Sequence, residues 1–337
     1  MADGKNALII GVTSQDGSYL ADLLLEKGYK VIGTIRRTSG AQKRDNIEHL
    51  LGKITIKAAD LTDYESIARL VRKYKPDEVY NIAAQSVPAD SWSHPFYTAE
   101  VTGVGVVRAL EAVKNEHPEA KVYQATSREI FGNIESDTAN ESTPIDANNP
   151  YGISKAYAHM MTRCYRESYG MFACSGILFN HESPRRSLHF VTRKISAAVA
   201  CIKNGVKNPP LNENGDPLVD GDGKLHLGLL DAQRDWGYSK EYVEAMWLML
   251  QQDEPKDYVI GTNTSHSVED ACRIAFEHVG LNWKDHVVSD KKFERPTEIK
   301  NLKGDYSLAK EELGWEPKTT FDELMKLMVD SDLKKFT

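Results

Sequence analysis

The stretch YGISK, residues 151–155, sets a phenol and an amine four positions apart. On a helix, positions i and i+4 share one face, so Tyr151 and Lys155 project together. An ammonium beside a phenol lowers the phenol's pKa. A tyrosinate placed there takes a proton from a hydroxyl while hydride leaves the same carbon. Spacing alone does not single out this pair, because the chain has 15 tyrosines and a second copy, YSLAK, at Tyr306–Lys310. The neighbours separate them. YGISK follows NNP, and Pro150 suits the first turn of a helix. Upstream, QATSREIFGN carries Ser127 and Glu129. Ser127 can share a hydrogen bond with the hydroxyl that Tyr151 deprotonates. Phenol, serine and amine make a carbonyl–alcohol redox set, and the Glu129 carboxylate adds proton removal beside the new carbonyl, hence elimination. Taken without context, Ser127 and Glu129 also fit a strand-end loop with polar caps. YSLAK, near the C-terminus, reads as helix surface.

Such a redox set needs a hydride carrier, and the first strand supplies a place for one. IIGVTSQDGSYL has Gly11 and Gly17, with Ser14 where a third glycine would complete a G-x-x-G-x-x-G cradle. Backbone N–H groups at a helix start accept a pyrophosphate there. A plain strand-to-helix turn is the competing reading. The second strand ends at Arg36 and Arg37, where a dinucleotide fold often has an acid for the adenosine ribose. Two guanidinium groups suit a 2′-phosphate, so the expected cofactor is NADP rather than NAD. Asp60 and Leu61 close the third strand, where an acid can meet the adenine amino group. NIAAQS, residues 81–86, ends the fourth strand with small residues, Ala83, Ala84 and Ser86 among them. At this edge Lys155 can also hold a nicotinamide ribose.

The elements that must position these groups alternate. Apolar runs NALIIGV, KVIGTI, ITIKA, EVYNIA, KVYQA and ACSGILF read as strands, and helical stretches separate them. Near-continuous apolar strands between helices imply a doubly wound parallel sheet of Rossmann type, α/β in class. One intervening helix is expected to open on the capping box Thr62-x-x-Glu65. The alternation breaks near residue 180, so residues 1–180 read as the cofactor domain. Residues 181–337 read as a smaller, mixed substrate lobe, with some chain returning to the first domain. Within it, NPPLNENGDPLVDGDGK (208–224) reads as a long hairpin-like loop whose aspartates lack calcium-loop spacing.

With 337 residues, 41% hydrophobic and 27% charged, the chain has the make-up of an ordinary globular protein. A net charge of −7 argues against general affinity for nucleic acid or anionic membrane. Four dispersed cysteines make neither a disulfide framework nor a zinc site, and no metal is expected. MADGKNALIIGV runs from a polar start into a strand, unlike a signal peptide, and no apolar run approaches membrane length. The expectation is a cytoplasmic protein.

GVTSQDGSYLADLLLEKGY, YNIAAQS, RESYGMFACSGILFNHESPRR, FVTRKI, RDWG and RPTEIKNLKGD together resemble the GDP-mannose 4,6-dehydratase family, within the extended short-chain dehydrogenase/reductase superfamily. The resemblance runs over nearly the whole chain. It implies a lyase of deoxysugar biosynthesis that holds NADP throughout its cycle. Tyr151 would take the C4 hydroxyl proton as hydride passes to NADP. Glu129 would remove the C5 proton as water leaves C6, and hydride would return to C6. Ser127 stands where the family has threonine. By the same match Thr13, Gln15, Asp16, Gln85, Tyr97, His181 and Arg186 join the cofactor set. Asn180, Lys194, Arg234, Arg295 and Glu298, with Ser86 and Arg128, are expected on the nucleotide-sugar side. A homodimer or homotetramer is implied as well.

Arg128 and Phe131 depart from the family pattern, and Pro88 and Asp90 stand in a segment expected to face the sugar. The sugar is therefore open, as mannose or a related hexose. An NAD(P)-dependent nucleotide-sugar epimerase is the alternative, since it needs Tyr151 but not a C5 base. A non-catalytic nucleotide-binding protein of the same fold is the third reading.

Overall fold

The computed structural model describes residues 4–36, 44–212, 214–293 and 301–337. Seven parallel strands form one sheet: β1 (Asn6–Ile10), β2 (Lys30–Ile35), β3 (Thr55–Ala58), β4 (Glu78–Asn81), β5 (Lys121–Ala125), β6 (Ala173–Leu178) and β7 (Tyr258–Ile260). Their order is β7-β6-β5-β4-β1-β2-β3. The order reverses beside β1, which leaves a crevice at the carboxyl ends of β1 and β4.

Both faces are covered, as the apolar runs require. Along β1, Ala7 and Ile9 enter one core while Leu8 and Ile10 enter the other. Helices α1 (Gln15–Glu26) and α6 (Ser239–Gln251) line the first face. Helices α2 (Tyr64–Tyr74), α3 (Gly105–Glu116) and α4 (Pro150–Tyr169) line the second. The expected capping box at Thr62 is not what starts α2. Asp63 is the N-cap, its side chain accepting from the Ser66 N–H, and Thr62 instead gives its N–H and hydroxyl to Asp60. An aspartate one residue later competes better for the cap, being among the strongest cap residues.

A third core gathers α5 (Val191–Asn204), α7 (Val268–His278) and α9 (Phe321–Lys335) around Ile195, Trp236, Phe276 and Met325. Helix α8 (Ser307–Leu313) packs near β7. The seventh strand, Tyr258–Ile260, is an addition to the six read from sequence, and it arrives from the last third of the chain. Residues 208–212 and 214–224 form a hairpin-like loop, with an antiparallel bridge between Leu211 and Pro217. Among the described residues, no helix is long and apolar enough to cross a membrane.

Candidate active site

Because all seven strands run the same way, the segments leaving β1, β4, β5 and β6 meet at one edge. At β1 the chain turns through Gly11, with φ +98°, a conformation only glycine adopts without strain. A Cβ there would also stand 3.1 Å from Ala83. Ser14 has φ −67° and ψ 167°, open to any residue, and its side chain caps α1 by accepting from Gly17 N–H. A Cβ at Gly17 would lie 2.4 Å from the Gly11 carbonyl. The turn is thus packed to backbone contact, with Ala83 against it, and the missing middle glycine distorts nothing. This is a cradle that fits a dinucleotide pyrophosphate.

Several residues expected at the cofactor are tied into the protein. Asp16 Oδ2 meets His181 Nε2 at 2.8 Å, and Asp16 Oδ1 accepts from Ser239 at 2.7 Å. Burial alone would raise the Asp16 pKa, but His181, Ser239 and Arg186 hold it down at about 2. Gln15 donates to the His181 carbonyl and accepts from Ser183. Asp60 spends Oδ1 on Thr62, and Leu61 is buried beside it. Gln85 takes part through its backbone N–H, given to Thr102 at 3.0 Å. Arg36, past β2, reaches the Tyr97 hydroxyl, so these two are brought together. Arg37 lies outside the described residues.

The residues that could do chemistry share one cleft, lined by Asp16, Ala84, Ser86, Ser127, Arg128, Glu129, Tyr151, Lys155, Asn180, His181 and Arg186 among others. Helix α4 starts at an Asn-Pro step: Asn149 caps it, and Pro150 occupies its first turn. Tyr151 and Lys155 are buried on its inner face. Lys155 Nζ donates to the Ala125 carbonyl at 2.7 Å and sits 5.8 Å from the Tyr151 ring centre. Burial lowers the Lys155 pKa to about 8. Burial also drives the phenol of Tyr151 upward, with the Ser127 hydrogen bond and then Arg186 pulling the other way. Burial therefore outweighs the neighbouring groups at the phenol, while the Lys155 ammonium is hydrogen-bonded to the Ala125 carbonyl.

Ser127 lies two residues past β5 and caps the short helix Arg128–Phe131, accepting from Glu129 N–H. Glu129 is buried, its carboxylate oxygens taken by Arg128 at 3.4 Å and Asn149 at 2.9 Å. Arg128 is 3% exposed, so it turns into the cleft and not to solvent. Pro88 also lines the cleft, whereas Asp90 is exposed. YSLAK lies elsewhere: Lys310 is an exposed partner of Glu316 at 2.5 Å. Asn149, which holds Glu129 and caps α4, carries no signal of that contact in the sequence, though an asparagine before a helix-opening proline is itself a cap signal.

On the far side, Arg186 pairs with Glu182 and stacks over Phe190. Lys194, 7% exposed, lines a separate cavity of about 250 Å³ with Asp216, Asp220, His226, Asp290 and Phe293. Two of the loop aspartates are engaged, Asp216 with Lys292 and Asp220 with His226. Arg234 donates to the Gln233 carbonyl, away from the cleft lining. Arg295 and Glu298 lie outside the described residues.

The family described as GDP-mannose 4,6 dehydratase matches residues 8–328. GDP-mannose 4,6 dehydratase 1 of Arabidopsis thaliana is 50% identical over 341 residues, covering 98% of this chain and 90% of its own. The Homo sapiens GDP-mannose 4,6 dehydratase is 43% identical over 355 residues, covering 97% and 91%. Among solved structures, dTDP-glucose 4,6-dehydratase from Bacillus anthracis in complex with NAD superposes with a TM-score of 0.80. It is 22% identical and covers 98% and 97%. UDP-glucose 4-epimerase from Thermotoga maritima gives 0.83 at 23%, covering 98% and 100%. At such identities these two establish the fold alone.

Proposed function

The chain belongs to the GDP-mannose 4,6-dehydratase family, and from that premise we propose the residues and the course of its reaction. It is a hydro-lyase acting on a GDP-hexose, and it yields the 4-keto-6-deoxy sugar. The observation that carries this reading is the convergence of Ser127, Glu129, Tyr151 and Lys155 in one cleft beside the glycine cradle. When bound, a nicotinamide dinucleotide supplies the hydride acceptor for C4 and the donor for C6. Tyr151 takes the proton of the C4 hydroxyl, and Ser127 shares its hydrogen bond. Lys155 orients the ribose next to the phenol. With C4 a carbonyl, the neighbouring C5–H is acidic; Glu129 removes that proton and passes it to the C6 hydroxyl, which leaves as water, and C5 takes up a solvent proton once C6 has received hydride. Overall, one water is lost and the sugar's oxidation state is redistributed within it.

The cofactor is NADP on this reading, because Arg36 stands past β2 where an acid would favour an unphosphorylated ribose. Exchanging Arg36 for alanine should weaken NADP about tenfold and leave NAD affinity unchanged, as read by titration of cofactor-free protein. We assign residues 1–180 to the cofactor and 181–337 mainly to the substrate. The nucleotide end goes to the Lys194 cavity, where an ammonium can meet the diphosphate. Four free cysteines, three of them buried, suit a reducing compartment, and we place the protein in the cytoplasm. Two copies associate through an apolar face on α4, treated below.

Incubating the purified protein with GDP-, UDP-, CDP- and dTDP-hexoses tests the assignment. The expected result is loss of one water from the GDP-sugar with no net NADPH. Inversion at C4 without loss of mass would instead identify an epimerase.

A further inference from the structure

Glu129 is gripped from two sides by buried side chains, Asn149 at Oε2 (2.9 Å) and Arg128 at Oε1 (3.4 Å). Asn149 has a second engagement: its Oδ1 accepts from Gly152 N–H at 2.8 Å and so caps α4. That turn carries Tyr151, and the next carries Lys155. One amide group therefore joins the carboxylate to the backbone turn that bears the phenol. There is no slack around it, since a Cβ on Gly152 would sit 2.6 Å from the Glu129 carbonyl. Among good cap residues only asparagine can do both tasks. Aspartate caps but brings no donor, and serine has a single short hydroxyl.

We propose that Asn149, with Arg128 on the opposite oxygen, is a positioning residue for the elimination half of the reaction. It fixes the Glu129 carboxylate relative to the Tyr151 phenol, and so relative to C5 once C4 is seated at the phenol. The inference rests on Glu129 being the C5 base. A carboxylate has lone pairs beyond those two hydrogen bonds, so the grip leaves it able to accept the C5 proton. Oxidation at C4 runs through Tyr151 and does not pass through Glu129. A defect in the grip must therefore separate the two halves of the cycle.

The test uses enzyme loaded with its cofactor and GDP-mannose as probe. Asn149→Asp and Asn149→Ser each keep a capping oxygen and lose the donor to Glu129, while Arg128→Met removes the other contact. Dehydrated product, reduced-nicotinamide absorbance, deuterium uptake at C5 from heavy water and melting temperature are followed together. Both Asn149 variants should dehydrate about 10²-fold more slowly. Reduced nicotinamide should build up, deuterium uptake should fall, and melting should stay near that of the wild type. Arg128→Met should show the same pattern. Wild-type dehydration by the Asn149 variants overturns the proposal. So does an equal loss of nicotinamide reduction and dehydration, which would mean that Asn149 serves both halves alike and not the Glu129 carboxylate in particular. A wild-type enzyme that yields no dehydrated product overturns the dehydratase reading, and this proposal with it.

Discussion

Tyr151 and Lys155 are both buried, and burial moves them apart on the pH scale: the phenol up, the ammonium down to about 8. Lys155 therefore keeps its proton below about pH 8 and loses it above. Because kcat/KM reports the free enzyme, its alkaline limb should centre near pH 8, and Lys155→Arg should remove that limb. The same depression opposes folding below about pH 8, where the unfolded chain holds the proton without penalty. The penalty fades as pH rises toward the ordinary lysine value. Glu129→Gln should abolish water loss while Tyr151-dependent nicotinamide reduction persists, with mass and absorbance read on one sample. An epimerase would keep its turnover in that variant. These groups were legible because a phenol, an amine and a carboxylate near helix and strand ends carry recognisable chemistry. The direction of the phenol's shift was not, because it depends on how completely the folded chain buries the Tyr151 side chain, which no local spacing states.

Helix α4 and the short helix at Arg128–Phe131 meet through glycine. Replacing Gly152 by alanine drives a Cβ to 2.6 Å from a backbone oxygen that cannot swing aside. The expected cost is about 1–3 kcal/mol, measured by urea unfolding, together with lost dehydration as Glu129 and Tyr151 move apart. At this scale the first six strands could be read from their apolar runs, since a sheet buried on both faces leaves a continuous signature. Tyr258–Ile260 could not, because a three-residue strand is too short for any periodicity, and its pairing with Gly176–Leu178 is a long-range contact. The α2 cap fell to competition between adjacent residues, Thr62 and Asp63, which spacing rules do not resolve.

Over the whole molecule, the surface of α4 opposite the cleft is apolar where solvent would favour charge. Ile153, Tyr157 and Met160 are 55%, 43% and 50% exposed along one face of α4, and Phe96 on the neighbouring helical segment is 91% exposed. Contiguous patches of this kind mark interaction surfaces. A second copy of the chain would cover it, with α4 against α4 about a two-fold axis. Ile153→Glu combined with Met160→Glu should convert a dimer to a monomer in sedimentation equilibrium. An unchanged mass would remove this face from the assembly. The seven-stranded sheet carries a different consequence, for synthesis. The outer edge of β6 gains its partner only when β7 is made, about eighty residues later. At ribosomal rates of about 5–20 residues per second, that edge waits for several seconds with its backbone groups unpaired. A nascent chain stalled between the two would present a sticky, half-finished ribbon, and chaperone capture should peak in that window.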